Sequence, residues 1–299
     1  MTTSFDIEAL RAVVAGIEQG SFARAAMELG RSQSAVSMQL KKLEQQAGTP
    51  LFTRRGRGLV PTDAGQALAN YARRMIALND EAARAVGATV APETIRLGLP
   101  QDFFEDVMPA TLSAFSQCKP EAHVTVRAGN NHLLGAEISS GRLDAAIAFF
   151  PKHSGSGGQL LGELPVHWLA HRRFGDLKTD DVLPLVLFDH PCLFRLSALA
   201  VLDQSNRRWK AALTTPSLPA VWSALRAGFG FGVRVGHALP DDIISVGDRF
   251  RLPTLPAVEL RLLGAPDKSP AVEELMSILK TTTLNAIEDD EASPDGISA

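Results

Sequence analysis

Hydrophobic periodicity changes character once along these 299 residues, and the change divides the chain into two kinds of structure. Up to about residue 87 the apolar residues recur at helical intervals; from Ile95 onward short apolar runs alternate with amphipathic stretches. A chain with that break folds as an all-helical N-terminal part followed by an α/β part. With 45% of its residues apolar, it can fill the cores of two or three domains.

In the first part Ile7, Leu10, Val14 and Ile17 lie at three- and four-residue spacing, and Gly20 follows as a stop. Ser21 is a natural N-cap for a short second helix that buries Phe22, Ala25, Ala26 and Leu29 before Gly30 turns the chain. A third helix runs from about Ser32 to Ala47, with Val36, Leu40 and Leu43 inward and Gly48 at its end. Then β-favouring Leu51, Phe52, Thr53 and Leu59, Val60 flank Arg54-Arg55-Gly56-Arg57-Gly58, a hairpin with an arginine-rich tip. From Thr62 to about Gly87 a long helix carries Ala64, Leu68, Tyr71, Met75, Leu78, Ala82 and Ala85 at alternating four and three. That repeat is the seam of a coiled coil, and Leu68, Tyr71, Met75, Leu78 and Ala82 are its candidate dimerisation residues.

Three helices followed by such a hairpin make a winged helix-turn-helix. The third helix opens on Ser32, Gln33 and Ser34, with Ser37 one turn on; small residues there allow close approach to a major groove, and Gln33 can pair with an adenine edge. Lys41 and Lys42 lie further along to hold phosphates, and Arg54, Arg55 and Arg57 reach the flanking minor groove or backbone. The net charge is only -3, yet residues 31–60 hold six basic residues against one acid, Glu44. That local excess is read either as the footprint of a polyanion partner or as an ordinary solvated surface.

Beyond a hinge at GATVAPE, strands are expected at 95–99, 123–127 and 144–150, then, after the HSGSGG loop at 153–158, at 183–189, 209–215, 230–235 and 258–265. Strand-helix-strand repetition argues for parallel sheets covered by helices, here two α/β lobes. Ligands in such folds sit beyond the carboxyl ends of strands, where the lobes face each other. The first lobe then supplies Pro100, Gln101, Asp102, Asn130, Asn131 and Phe150, and the second supplies His190, Pro191, Cys192, Phe194, Arg195, Ser217, Leu218 and Pro219. His167 and His171 lack a third ligand for zinc, and Cys118 and Cys192, the only cysteines, are too far apart in sequence to mark a disulfide framework. Cys192, near a helix start, is read as a semi-buried small residue or as an oxidant-sensitive thiol. No acid, base and nucleophile set is apparent, so no catalysis, metal or cofactor is expected.

The run "ARAAMELGRSQSAVSMQLKKLEQQAGTPLFTRRGRGLVPTDAG" resembles the DNA-binding segment of LysR-type transcriptional regulators, over residues 4 to about 88. The Gln-Ser-Ala-Val-Ser run, Leu43-Glu44, Leu51-Phe52-x-Arg54 and Thr62-x-x-Gly65 stand at family spacing. "LPLVLFDHPCLFR" and "TPSLPAVWSALRAGFGFGVR" are similar to the effector domain of an LrhA-like branch. The resemblance implies base and phosphate contacts for Gln33, Ser34 and Ser37, a wing contact for Arg54, and an apolar touch to a thymine methyl for Met38, where many relatives are polar. Relatives often carry serine or threonine where Pro100 stands, a hydroxyl that helps hold an effector carboxylate.

Together these features predict an α/β chain with an all-α-rich N-terminal part: a winged helix-turn-helix (1–61), a linker helix and hinge (62–92), a two-lobed effector domain of the periplasmic-binding-protein kind (93–285) and an acidic disordered tail (286–299). Lobe I is placed at about 93–165 and 266–285, lobe II at about 166–265. The expected function is that of a cytoplasmic bacterial regulator that binds double-stranded DNA at an interrupted palindrome, responds to a small-molecule effector and assembles as a dimer of dimers. No membrane segment is expected, since no window reaches the ~18 uninterrupted apolar residues a spanning helix needs. The alternative is a solute-binding protein or small-molecule enzyme with an appended helical dimerisation domain.

Overall fold

The structure, a computed structural model, describes residues 4–56, 58–88, 92–129, 131–155, 157–178, 181–266 and 268–292. It divides into two compact units, Met1–Pro92 with Ser140–Arg142, and Glu93–Ser139 with Leu143–Ala299.

The first unit contains α1 (Ile7–Glu18), α2 (Phe22–Glu28), α3 (Gln33–Ala47), the hairpin β1 (Phe52–Arg55) and β2 (Gly58–Pro61), and α4 (Asp63–Ala85). Its helix ends follow from sequence chemistry. Asp6, Ser21, Ser32 and Thr62 are N-caps whose side chains accept from the backbone N–H groups of Glu8, Arg24, Ala35 and Gly65. Leu10, Val13, Val36, Leu40, Leu43, Leu51 and Phe52 close one core over which Ala69 and Ala72 of α4 are laid. Phe22 meets Phe52 edge to face at 4.9 Å. A Cβ on Gly65 would lie 1.9 Å from the Leu51 carbonyl oxygen, so the Thr62-x-x-Gly65 signature is a backbone-to-backbone contact only glycine permits.

The second unit is built on two sheet systems. A five-stranded sheet has the order β4-β3-β5-β12-β6, from β3 (Thr94–Leu99), β4 (His123–Ala128), β5 (Ala145–Pro151), β6 (Gln159–Leu164) and β12 (Val258–Gly264). The other system has β7 (Val166–His171) flanked by β10 (Gly232–Val235) and β11 (Ile243–Ser245), and the pair β8 (Leu183–Phe188) and β9 (Trp209–Thr215). A bridge from Leu185 to Phe231 joins the last two groups. The helices are α5 (Val107–Cys118), α6 (Asn131–Ser139), α7 (Leu193–Gln204), α8 (Leu218–Arg226) and α9 (Pro270–Ala292). One apolar core, from Ile95 and Phe149 through Phe194 and Phe231 to Leu279, runs through both sheet systems.

Three expectations are corrected. The sheets are mixed rather than parallel: β3 runs parallel to β4 and β5, but β12 is antiparallel to β5 and β6, and β7 is antiparallel to both neighbours. Residues 258–264, assigned to lobe II, hydrogen-bond within the lobe I sheet, because the chain returns to that sheet one strand before α9. Residues 286–292 are helical rather than disordered, with Ala286 and Ile287 packed on the core; 293–299 lie outside the described residues.

Candidate functional site

In the first unit the polar tip of α3 is open. Ser32, Gln33, Ser34, Ser37, Lys41 and Lys42 are exposed, and Met38 is 69% exposed, while Val36, Leu40 and Leu43 between them are buried. The helix therefore offers one polar face and seals the other into the core, the division a groove-reading helix needs. Ser32 is held by capping: its Oγ accepts from Ala35 N at 3.2 Å and lies 3.0 Å from Ser34 Oγ. On the wing Arg54 and Arg55 are exposed, and Arg57 lies outside the described residues.

The basic excess is reduced by one residue, since Arg31 forms an ion pair with Glu8 at 2.6 Å. Lys41, Lys42, Arg54 and Arg55 make no ion pair among the described residues. Glu44, the one acid in this stretch, is turned inward: its carboxylate accepts from Leu51 N at 2.9 Å and Phe52 N at 3.1 Å. It thus fastens the start of the wing to the third helix and adds no negative charge to the open face.

On α4, Leu68 is half-buried and packs against the unit's own core. Tyr71, Met75, Leu78 and Ala82 remain exposed.

In the second unit the expected cleft residues fall into different groups. Pro100 precedes a single 3-10 turn at Gln101–Phe103. Gln101 reaches the other sheet system: its Nε2 donates to Pro216 O at 3.0 Å and its Oε1 accepts from Leu218 N at 2.8 Å. Asp102 is buried and faces Arg234 on β10. Ser217 occupies the N-cap position of α8 without a side-chain capping bond, and in the first turn Leu218 is buried and Pro219 exposed. His190 is exposed, Pro191 half-buried behind a cis peptide bond, and Cys192 half-buried at the N-cap of α7. Arg195 donates from Nη1 to Phe188 O at 3.1 Å. Asn130 lies outside the described residues and Asn131 opens α6.

Phe150 is a correction. Alternation along β5 puts Ala145, Ile147 and Phe149 on the main core, and Ala146, Ala148 and Phe150 on the opposite face with Leu134 and Leu143 of the α6 side. Phe149 is the residue that meets Phe194, at 5.3 Å, and Phe103, at 5.7 Å.

The groups not foreseen are Arg234 and His237. Arg234 is a charge inside a strand buried at every position, an anomaly visible in GFGVRV. His237 sits between two acids, 3.0 Å from Asp106 Oδ2 and hydrogen-bonded to Asp290. Burial works against its imidazolium, but the hydrogen bonds and charges of Asp106 and Asp290 outweigh it and raise its pKa to about 9. Burial likewise opposes the Asp106 carboxylate, yet His237 and the Val107 N–H hold its pKa below the ordinary value. Burial alone lowers His167. Among the described residues no cluster of three His, Cys, Asp or Glu side chains could hold a metal, and no helix is long and apolar enough to cross a membrane.

This pairing of an open helix-turn-helix face with a two-sheet ligand-domain architecture defines a class of regulator. Residues 7–66 match the model of the bacterial regulatory helix-turn-helix protein, lysR family, and residues 89–283 match the LysR substrate binding domain. The chain belongs to the LysR family of DNA-binding transcriptional regulators, with a substrate-binding effector domain; its homologues are regulators, not enzymes. It is 33% identical to the HTH-type transcriptional regulator DgdR of Burkholderia cepacia, over 87% of each chain. It is 29% identical to the HTH-type transcriptional regulator PecT of Dickeya dadantii, over 88% of this chain and 83% of that one. Among solved structures, ArgP of Mycobacterium tuberculosis superposes with a TM-score of 0.70 at 22% identity, covering 93% of this chain and 97% of that one. CbnR complexed with its target DNA gives 0.55 at 20% identity, covering 93% and 100%.

Proposed function

We propose that α3 reads a DNA major groove through Gln33, Ser34 and Ser37, with Met38 against a thymine methyl, Ser32, Lys41 and Lys42 on phosphates, and Arg54, Arg55 and Arg57 on the flank. The observation that carries this is the open polar face of α3 beside four basic side chains that no acid neutralises among the described residues. Exposed Tyr71, Met75, Leu78 and Ala82 on α4 are the surface through which two copies pair, so that two heads meet the halves of an interrupted palindrome. The assembly is a dimer of dimers in the bacterial cytoplasm, and the chain belongs with the LrhA-like branch. A small molecule enters between the two sheet systems of the second unit, with Gln101, Asp102, Phe194 and Ser217–Pro219 among the residues that line its site. It shifts the assembly by binding one arrangement better than another.

The test is Gln33→Ala in a gel-shift titration on an operator fragment and on an unrelated duplex. Loss of a bidentate adenine contact weakens operator binding by about tenfold or more and leaves unrelated DNA nearly untouched. Equal losses on both would show that Gln33 does not read bases.

A further inference from the structure

Helix α8 starts at the interlobe loops with Leu218 and ends at Arg226, and that second end has a groove of its own. Eight steps of ~1.5 Å put the two ends roughly 12 Å apart along the helix axis. The groove lies between the 171–177 loop, which follows β7, and residues 226–228, and has a volume of about 460 Å³. That is within the ~300–1,000 Å³ of small-molecule sites.

The loop that walls the groove is fastened at several points. His171 Nδ1 accepts from Arg173 N at 3.1 Å, and Phe174 N donates to His171 O at 2.8 Å. The Phe174 ring meets Phe231 at 4.8 Å and Phe250 at 5.9 Å, and Leu177 packs against the same core. Arg249 donates from Nη2 to Phe174 O at 3.0 Å and to Asp176 Oδ1 at 3.2 Å. A wall held in this way keeps its shape before anything binds, which lowers the ordering cost of binding.

Charge says what would bind. Asp176, on the groove, is paired with Arg249 at 3.2 Å, and Asp242, behind it, is paired with Arg226 at 2.7 Å. Arg173 is exposed and has no ion pair or side-chain hydrogen bond among the described residues. His171 adds no charge here, because its Nδ1 is an acceptor. The groove-lining charges and their ion-pair partners therefore leave one guanidinium uncompensated. Asp242 takes only Nε of Arg226, so the Nη edge of that second guanidinium is held in place and still able to donate.

We propose that this groove is a second small-molecule site, remote from the interlobe cleft, for a monocarboxylate with an apolar body. Its carboxylate bridges Arg173 and the Nη edge of Arg226, and its body lies on Phe174, Leu177 and Ala227. One negative charge closes the local excess, whereas a dianionic phosphate overshoots it. The site goes beyond the cleft reading and shares no residue with it.

The test is photoaffinity labelling of the full-length protein with 4-benzoylbenzoate, and with 4-benzoylbenzamide as the neutral analogue, the labelled peptides being identified by mass spectrometry. The acid should label peptides holding 171–177 and 226–228 in a saturable way, and the amide several-fold less. Arg173→Gln removes a charge from an exposed side chain that has no partner to lose, so the fold is kept and the half-saturating concentration of the acid rises about tenfold. Arg173→Lys restores part of that loss, because the charge returns without the planar fork. Lys210→Gln, on the exposed side of β9, leaves labelling unchanged. Label confined to 188–195 or 217–219 would report the cleft and overturn the second site. So would equal labelling by acid and amide, absence of label from both groove peptides, or an Arg173→Gln protein that labels as the wild type does. Each of these results leaves the DNA-binding reading, which the gel shifts test, where it was.

Discussion

Deprotonating His237 should cost the second unit a measurable part of its stability. The imidazole lies between Asp106 at the start of α5 and Asp290 near the end of α9, and its pKa stands at about 9. An unfolded histidine titrates near ~6.5, so the folded state holds the proton more tightly. The sign follows: the contribution is complete below about pH 6.5 and is lost as pH rises through about 9. Because the Asp106 pKa is lowered, its own contribution is present at neutral pH and disappears only as the solution becomes acidic enough to protonate it. A rise of that size corresponds to about 3 kcal/mol between pH 6 and pH 9. Urea unfolding at half-unit pH intervals, followed by tryptophan fluorescence, measures the slope. His237→Gln keeps hydrogen-bonding capacity and removes the titration, so the difference between the two profiles isolates this one group. Parallel profiles across pH 6 to 9 would refute the claim that a charged imidazole joins α5 and α9.

Gly65→Ala places a methyl 1.9 Å from the Leu51 carbonyl oxygen, and that oxygen is already held by Thr62 N at 2.9 Å. Thermal unfolding of the N-terminal unit should show a loss of about 1–3 kcal/mol; an unchanged midpoint would mean that the two segments part easily. Lys42→Gln should lower affinity for all duplexes alike and reduce the slope of log affinity against log salt by about 1. A change confined to one sequence would assign Lys42 to bases. Leu78, 67% exposed on α4, is the place to test pairing: Leu78→Glu should shift sedimentation to a smaller species, and an unchanged mass would locate the contact elsewhere.

Much of the N-terminal unit was legible because its signals are local. Ser21, Ser32 and Thr62 cap helices where the sequence places them, and Gly20, Gly30 and Gly48 adopt positive φ at the turns between helices. Strand β9 matches the expected 209–215 in full, its run of alanine and threonine being bounded by polar turns. What escaped depends on distant partners. Strand β6 is a weakly apolar edge that exists because β12 offers it hydrogen bonds, and β11 is three residues long. Strand direction in the five-stranded sheet is set by where the chain re-enters, which no local pattern records. Phe150 packs towards α6 while its neighbour Phe149 meets α7, because successive strand residues point to opposite faces and only register decides which face is which. Arg234 and His237 meet their charged partners more than fifty positions away in the chain, so only the oddity of a charge in a buried strand could have marked the first of them.

The Glu44 carboxylate has one further implication for the choice of target sites. By gripping the two amides at the root of the hairpin it makes the reading rod and its flanking finger a caliper with fixed jaws. If α3 and the wing contact DNA as proposed, the distance between the bases touched and the flank touched is fixed within each half-site, and a single base pair inserted there is expected to abolish binding, whereas one inserted between the halves is expected to be tolerated better.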